Sequence, residues 1–324
     1  MIGDSHVFDG DTVAPETEAF VQQLEALLAT LPRPSDFESV SAFRGFWDVD
    51  EGPFGELVRL DWAEERTIPG PDEKEIRLRS FAPGDPTAVL LYIFGGGWVR
   101  GGEDRNDWRH ERFVEATGAA VVGNSYRLAP EHKWPAAIDD CEAAALWLVE
   151  HAAEEYGTGR IMIGGESSGA NLAVMTMLRL RDRHGFSDWS GAILINGGFD
   201  FRPTFSKTAG NRDPVLDSEL LDFFVNHYIG GTPAEADPGH SDVSPVMNDL
   251  KGLGPAHFVI GTRDALLDEN LTMAARWQAA GNSTDLQIYP GVPHAFSNFP
   301  IPIADEAIDN IHNWTNQQLI NPRT

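Results

Sequence analysis

Cysteine is almost missing from this 324-residue chain: Cys141 stands alone. A single thiol excludes an intramolecular disulfide and any metal site built from several thiolates. It falls in a helical pattern over residues 136–148, which favours a buried small hydrophobe over a reactive thiol. Basic charge is scarce as well. Lys and Arg total 24 against 50 Asp and Glu, lysine occurs only at Lys74, Lys133, Lys207 and Lys251, and the formal charge is -26. That balance argues against nucleic acid or anionic lipid as a partner, because both require a basic face. Long apolar runs are absent too. Residues 88–94 form one of the longest, far short of a bilayer span, so stable membrane insertion is not expected. The opening residues, Met1 to His6, are neither basic nor followed by an apolar stretch, so the expectation is a cytoplasmic protein without a secretory signal. Runs of like charge, low-complexity tracts and internal repeats are also lacking.

What is present describes a protein with a sizeable core. Hydrophobic residues make up 42%, beside 32 Gly and 21 Pro, a composition of soluble globular proteins. Residues 15–31 place Phe20, Leu24, Leu27, Leu28 and Leu31 at helical spacing, and residues 40–47 predict a second, short helix. Residues 57–68 and 75–82 alternate as strands around a Pro-Gly-Pro-Asp turn. Beyond them, apolar runs at 88–94, 119–123, 161–163 and 191–196 read as buried strands, and 256–261 and 284–289 as further strands. Helical patterns at 107–117, 135–156, from 170 onward, 268–280 and 304–319 fall between or after them. Such alternation predicts an α/β protein with a mostly parallel sheet of about eight strands wrapped by helices on both faces. Between Phe199 and Pro255 the rhythm breaks into Pro, Gly, Asp and Asn around one apolar stretch, residues 220–229, which marks a lid or binding segment.

One stretch organises the chemistry. Gly165-Glu166-Ser167-Ser168-Gly169 lies between a strand and a helix and fits the G-x-S-x-G nucleophile elbow, whose glycines allow the sharp turn that lifts a hydroxyl out of the sheet. Ser167 then heads a helix, where free N–H groups favour developing negative charge. A serine hydroxyl needs a base, and the base an orienting carboxylate. Asp264 and His294 follow predicted strand ends in the order this elbow uses. Asp268 and Glu269 compete for the acid role, but acids at a helix start are explained by capping, and Asp264 is preferred. His110, His132, His151, His227 and His312 read as structural, and His257 opens a strand at the far end. Metal-ligand spacing is absent, so neither a metal nor a cofactor is expected. Gly96 and Gly97, after a central strand, and Ser168, after the nucleophile, are the expected oxyanion donors.

Gly95-Gly96-Gly97-Trp98, residues 126–131 (Tyr-Arg-Leu-Ala-Pro-Glu), the elbow, Asp264 with Asp268-Glu269, and Pro293-His294-Ala295-Phe296 together resemble the bacterial hormone-sensitive-lipase-like esterases. The resemblance runs from about residue 75 onward. It implies an α/β-hydrolase fold and a serine carboxylesterase acting on short- to medium-chain esters through an acyl-enzyme, with Ser167, Asp264 and His294 as triad. Residues 51–199 and 251–324 would form the catalytic core, with 1–50 as cap helices and 200–250 as a cap insertion. A small-molecule ester is the implied partner. Related esterases often pair as homodimers, although no interface is legible in the residues. An amide or arylacetamide hydrolase would use the same triad, and a non-catalytic ligand receptor shares the scaffold but lacks the histidine. Two positions depart from the pattern. Phe94 stands where the family has a histidine before the glycines, and Ser168 where it has alanine.

Overall fold

Side-chain alternation on the central strands builds the two faces of the core. In β3 (Val89–Ile93), Val89, Leu91 and Ile93 join one buried cluster while Leu90 and Tyr92 join another on the opposite face, as the period of two requires. The computed structural model describes residues 5–52, 55–208, 210–232, 235 and 237–320. Its main sheet has eight strands. Besides β3 these are β1 (Glu64–Pro69), β2 (Glu75–Phe81), β4 (Ala120–Asn124), β5 (Ile161–Glu166), β6 (Gly191–Ile195), β7 (Ala256–Gly261) and β8 (Thr284–Tyr289). They lie in the order 8-7-6-5-3-4-2-1. Every neighbouring pair is parallel except β1 with β2 and β2 with β4. Six of the strands therefore match the segments expected beyond residue 88, and the mostly parallel α/β class follows from them.

The strand expected over residues 57–68 is shorter than its alternation suggested, because β1 begins only at Glu64. The preceding backbone is held by side chains instead of a neighbouring strand. The N–H of Leu60 donates to Asp107, its carbonyl accepts from Arg79, and Arg59 and Trp62 reach Asp104 and Glu111.

Helices cover both faces. On one side lie α3 (Asp107–Thr117) and α8 (Pro302–Ile320), packed through Phe113, Val114, Ile311 and Trp314. On the other lie α4 (Ala136–Glu155), α5 (Ser168–His184) and α7 (Leu267–Ala279). Helix α5 is buried on every side from Ser168 through Leu180, as expected of a helix enclosed by other elements. Each fully buried Leu or Val in it contributes roughly 1.5–3 kcal/mol relative to exposure. It ends at Gly185, whose φ of 69° closes the last turn.

Two further segments sit over the carboxyl ends of the strands. The first holds α1 (Pro15–Leu28) and α2 (Val40–Trp47), where Ser39 caps α2 by accepting from Ala42 N–H. The second is the stretch between β6 and β7, which contains α6 (Ser218–Ile229), capped by Asp217 accepting from Leu220 N–H. Arg33 forms ion pairs with Asp217 and Glu219, and Phe43 of α2 packs on Phe223 of α6 at 4.9 Å between ring centroids. The two segments thus touch each other as well as the core.

Candidate active site

Strand register brings distant residues to one edge. Ile93 pairs with Gly165, Glu166 with Ile195, and Tyr289 with Gly261, so the loops that follow β3, β5, β6, β7 and β8 all open at the carboxyl end of the sheet. Open α/β sheets carry their reactive groups there.

Ser167 occupies a backbone conformation that L-residues seldom adopt, φ 54° and ψ −122°. The surroundings impose it. A Cβ at Gly169 would lie 2.1 Å from the carbonyl oxygen of Ile93, and one at Gly165 would lie 2.5 Å from the same atom. Only glycine lets strand and helix approach this closely, and the residue between is forced outward. The Ser167 hydroxyl meets Nε2 of His294 at 2.9 Å. On the other side of the ring, Nδ1 lies 3.0 and 3.1 Å from the two carboxylate oxygens of Asp264. His294 and Asp264 are buried. The three residues named from sequence therefore meet in one hydrogen-bonded chain. The rival acids do not join it, since Asp268 accepts from Ser206 N–H and Glu269 pairs with Lys207. His257 sits near the start of β7, bonded to Asp285.

The residues expected to donate to the oxyanion, Gly96, Gly97 and Ser168, line the cavities that border Ser167. Gly96 and Gly97 have φ of 125° and 62°, and among the described residues no hydrogen bond engages the N–H of Gly96, Gly97 or Ser168. The phenyl ring of Phe224 covers Gly97 so closely that a Cβ there would lie 2.2 Å from it. Phe94 holds the loop without a histidine. Its ring stacks on Tyr126 at 4.1 Å and 11°, and the Tyr126 hydroxyl donates to the Phe94 carbonyl at 3.1 Å.

Burial disfavours the imidazolium of His294, but the charge and hydrogen bond of Asp264, the charge of Asp213 and that of Glu166 outweigh it and raise the pKa to about 9. Asp213 belongs to the segment between β6 and β7 and was not singled out by sequence. The signal available was an Asp-Pro turn, common in loops. Asn196, whose side-chain amide lies 3.4 Å from His294 Nδ1, was likewise missed.

The cleft above Ser167 and His294 has a volume of about 630 Å³. Phe20, Leu24 and Leu27 of α1 form one wall, Leu216, Leu220 and Phe224 another, and Arg100 and Arg105 also line it. A separate chamber of about 30 Å³ adjoins Ser167 between Trp98, Phe201 and Leu266. Phe205 is 70% exposed, and Phe43 is enclosed in the core.

Comparison with known proteins agrees with this architecture. Residues 90–298 match the α/β-hydrolase fold family. The carboxylic ester hydrolase LipN of Mycobacterium tuberculosis is 30% identical over 91% of this chain and 80% of its own length. A hyperthermophilic esterase from the archaeon Pyrobaculum calidifontis superposes with a TM-score of 0.82 at 28% identity, covering 95% of this chain and 99% of that one. An esterase of the bacterial hormone-sensitive lipase family superposes at 0.78 with 27% identity, covering 95% and 99%.

Proposed function

Because this chain belongs to the α/β-hydrolase fold family as a carboxylic ester hydrolase, we propose that Ser167, His294 and Asp264 carry its reaction through an acyl-enzyme. His294 Nε2 takes the Ser167 proton as the hydroxyl attacks the ester carbonyl. Asp264 keeps the ring in the tautomer that leaves Nε2 free to accept, and stabilises the imidazolium once formed. The N–H groups of Gly96, Gly97 and Ser168 hold the oxyanion, worth about 3–4 kcal/mol per donor in comparable sites. His294 then returns the proton to the departing alcohol, and a water activated by the same nitrogen releases the acid. The observation that carries this reading is the unbroken Ser167–His294–Asp264 chain at the floor of a cleft.

The cap belongs to the same proposal. Residues 1–50 and 200–250 supply both apolar walls of the cleft, so they select the substrate while residues 51–199 and 251–324 supply the chemistry. The chamber beside Ser167, with room for only a few carbon atoms, supports short to medium acyl groups. Initial rates on p-nitrophenyl esters from acetate to palmitate test both parts. Ser167→Ala should lower kcat on the acetate by about 10⁴-fold or more, and the wild type should lose most of its kcat/KM beyond an eight-carbon acyl chain. Undiminished turnover by Ser167→Ala would sink the assignment.

A further inference from the structure

A second carboxylate is buried beside the triad. Asp213, 4% exposed, comes from the stretch between β6 and β7, yet each of its oxygens is engaged by two backbone N–H groups. One oxygen accepts from Val215 and Leu216 at 2.8 and 3.1 Å, closing its own turn. The other accepts from Ala265 at 3.0 Å and from His294 itself at 2.9 Å. Ala265 directly follows Asp264. One carboxylate therefore joins the turn that leads into α6, the loop carrying the acid and the loop carrying the histidine. A carboxylate oxygen of Asp213, one of Asp264 and a ring nitrogen of His294 all lie within 4.8 Å of one another. Two carboxylates so close in a buried site repel each other. The arrangement holds because of the four N–H donors and the imidazole, and no lysine or arginine salt bridge reaches Asp213 among the described residues.

We propose that Asp213 is a positioning residue for the triad, the joint through which the segment between β6 and β7 holds the acid and histidine loops in register. The inference rests on the triad reading above. Asp213 contacts the backbone of His294 and Ala265 and acts on the reaction through them. The same turn continues into Leu216 and Leu220, which line the cleft, so the substrate wall and the proton-transfer geometry are set by one anchor. The groups facing His294 are Asp264, Asp213, Glu166 and the Asn196 amide, and Glu166 is itself met by Arg109 at 3.5 Å and by the Asn298 amide. Of the charged groups, Asp213 alone comes from the segment between β6 and β7, so its removal changes the field at the ring without touching the Ser167–His294–Asp264 bonds.

Asp213→Asn keeps the shape but removes the charge and turns an amide donor toward one pair of N–H groups. Its kcat on p-nitrophenyl acetate should fall at least tenfold with KM within about threefold of wild type. The acid limb of its kcat/KM profile should move to lower pH by half a unit or more, because one negative neighbour of the imidazolium is gone. Asp213→Glu, which keeps the charge and displaces it, should restore the limb but not kcat, and it decides the matter where the Asn variant fails to fold. Wild-type kcat and an unmoved limb in a folded Asp213→Asn, or wild-type kcat in Asp213→Glu, would overturn the role. Ser167→Ala measured alongside separates the two claims: if it stays active the triad reading falls and this inference with it, whereas if it is dead, overturning results from the Asp213 variants cost the Asp213 assignment alone.

Discussion

At the scale of single residues, the proposed role of His294 as base fixes how activity should respond to pH. Burial alone would lower its pKa, and the carboxylates of Asp264, Asp213 and Glu166 raise it to about 9 instead. A general base works only when neutral. Activity is therefore lost as pH falls through that raised value, and kcat/KM for p-nitrophenyl acetate should climb from pH 6 to pH 9. An acid limb centred at or below 6.5, the ordinary histidine value, would contradict this. Ser167 was legible as the candidate nucleophile because its constraint is local: two glycines and a strand-to-helix turn lie within five residues. Asp264 was separable from Asp268 and Glu269 by position relative to a helix start, and the structure engages both rivals elsewhere. Asp213 was not legible, since its meaning lies in a contact with a residue 81 positions away.

Among elements, the stretch between β6 and β7 is held to α7 by a buried ion pair. Lys207 Nζ reaches Glu269 at 2.6 Å, with Lys207 and Glu269 7% and 1% exposed. Burial raises the Glu269 pKa to about 7, opposed by the Lys207 charge. Lys207→Met would leave that carboxylate buried without a cation, at a cost of about 3–5 kcal/mol. The pKa of Glu269 then rises further, so the folded state binds a proton that the unfolded state has released, and stability falls as pH increases through that window. Thermal melts should show a larger loss at pH 8 than at pH 5; equal losses at the two pH values would refute the account. Helix and strand periodicity placed most elements to within a few residues. It overextended the first strand, where Asp107, Arg79 and Glu111 draw the backbone and side chains of residues 60–62 away from any neighbouring strand.

Taken as a whole molecule, the chain carries a formal charge of -26, while Arg100 and Arg105 line the cleft. The global field repels anions and salt screens it over about 10 Å at 0.1 M. Raising NaCl from 20 to 200 mM should leave kcat/KM for neutral p-nitrophenyl acetate nearly unchanged and raise it for a p-nitrophenyl hemisuccinate. A fall for the anionic ester would mean that the two cleft arginines outweigh the surface. No described helix is long and apolar enough to cross a membrane.

Local pattern in the chain was enough to determine the fold class and to mark the candidate nucleophile and the order of its proposed partners, because turn sterics and side-chain periodicity act over a few residues. Tertiary structure decided the rest. The walls of the cleft are contributed by α1 and by the stretch between β6 and β7, Phe94 finds Tyr126 across a loop, and a third carboxyl-bearing loop reaches the histidine. Each depends on which strand lies beside which, and hydrogen bonds between residues so far apart in sequence leave no periodic trace along the chain.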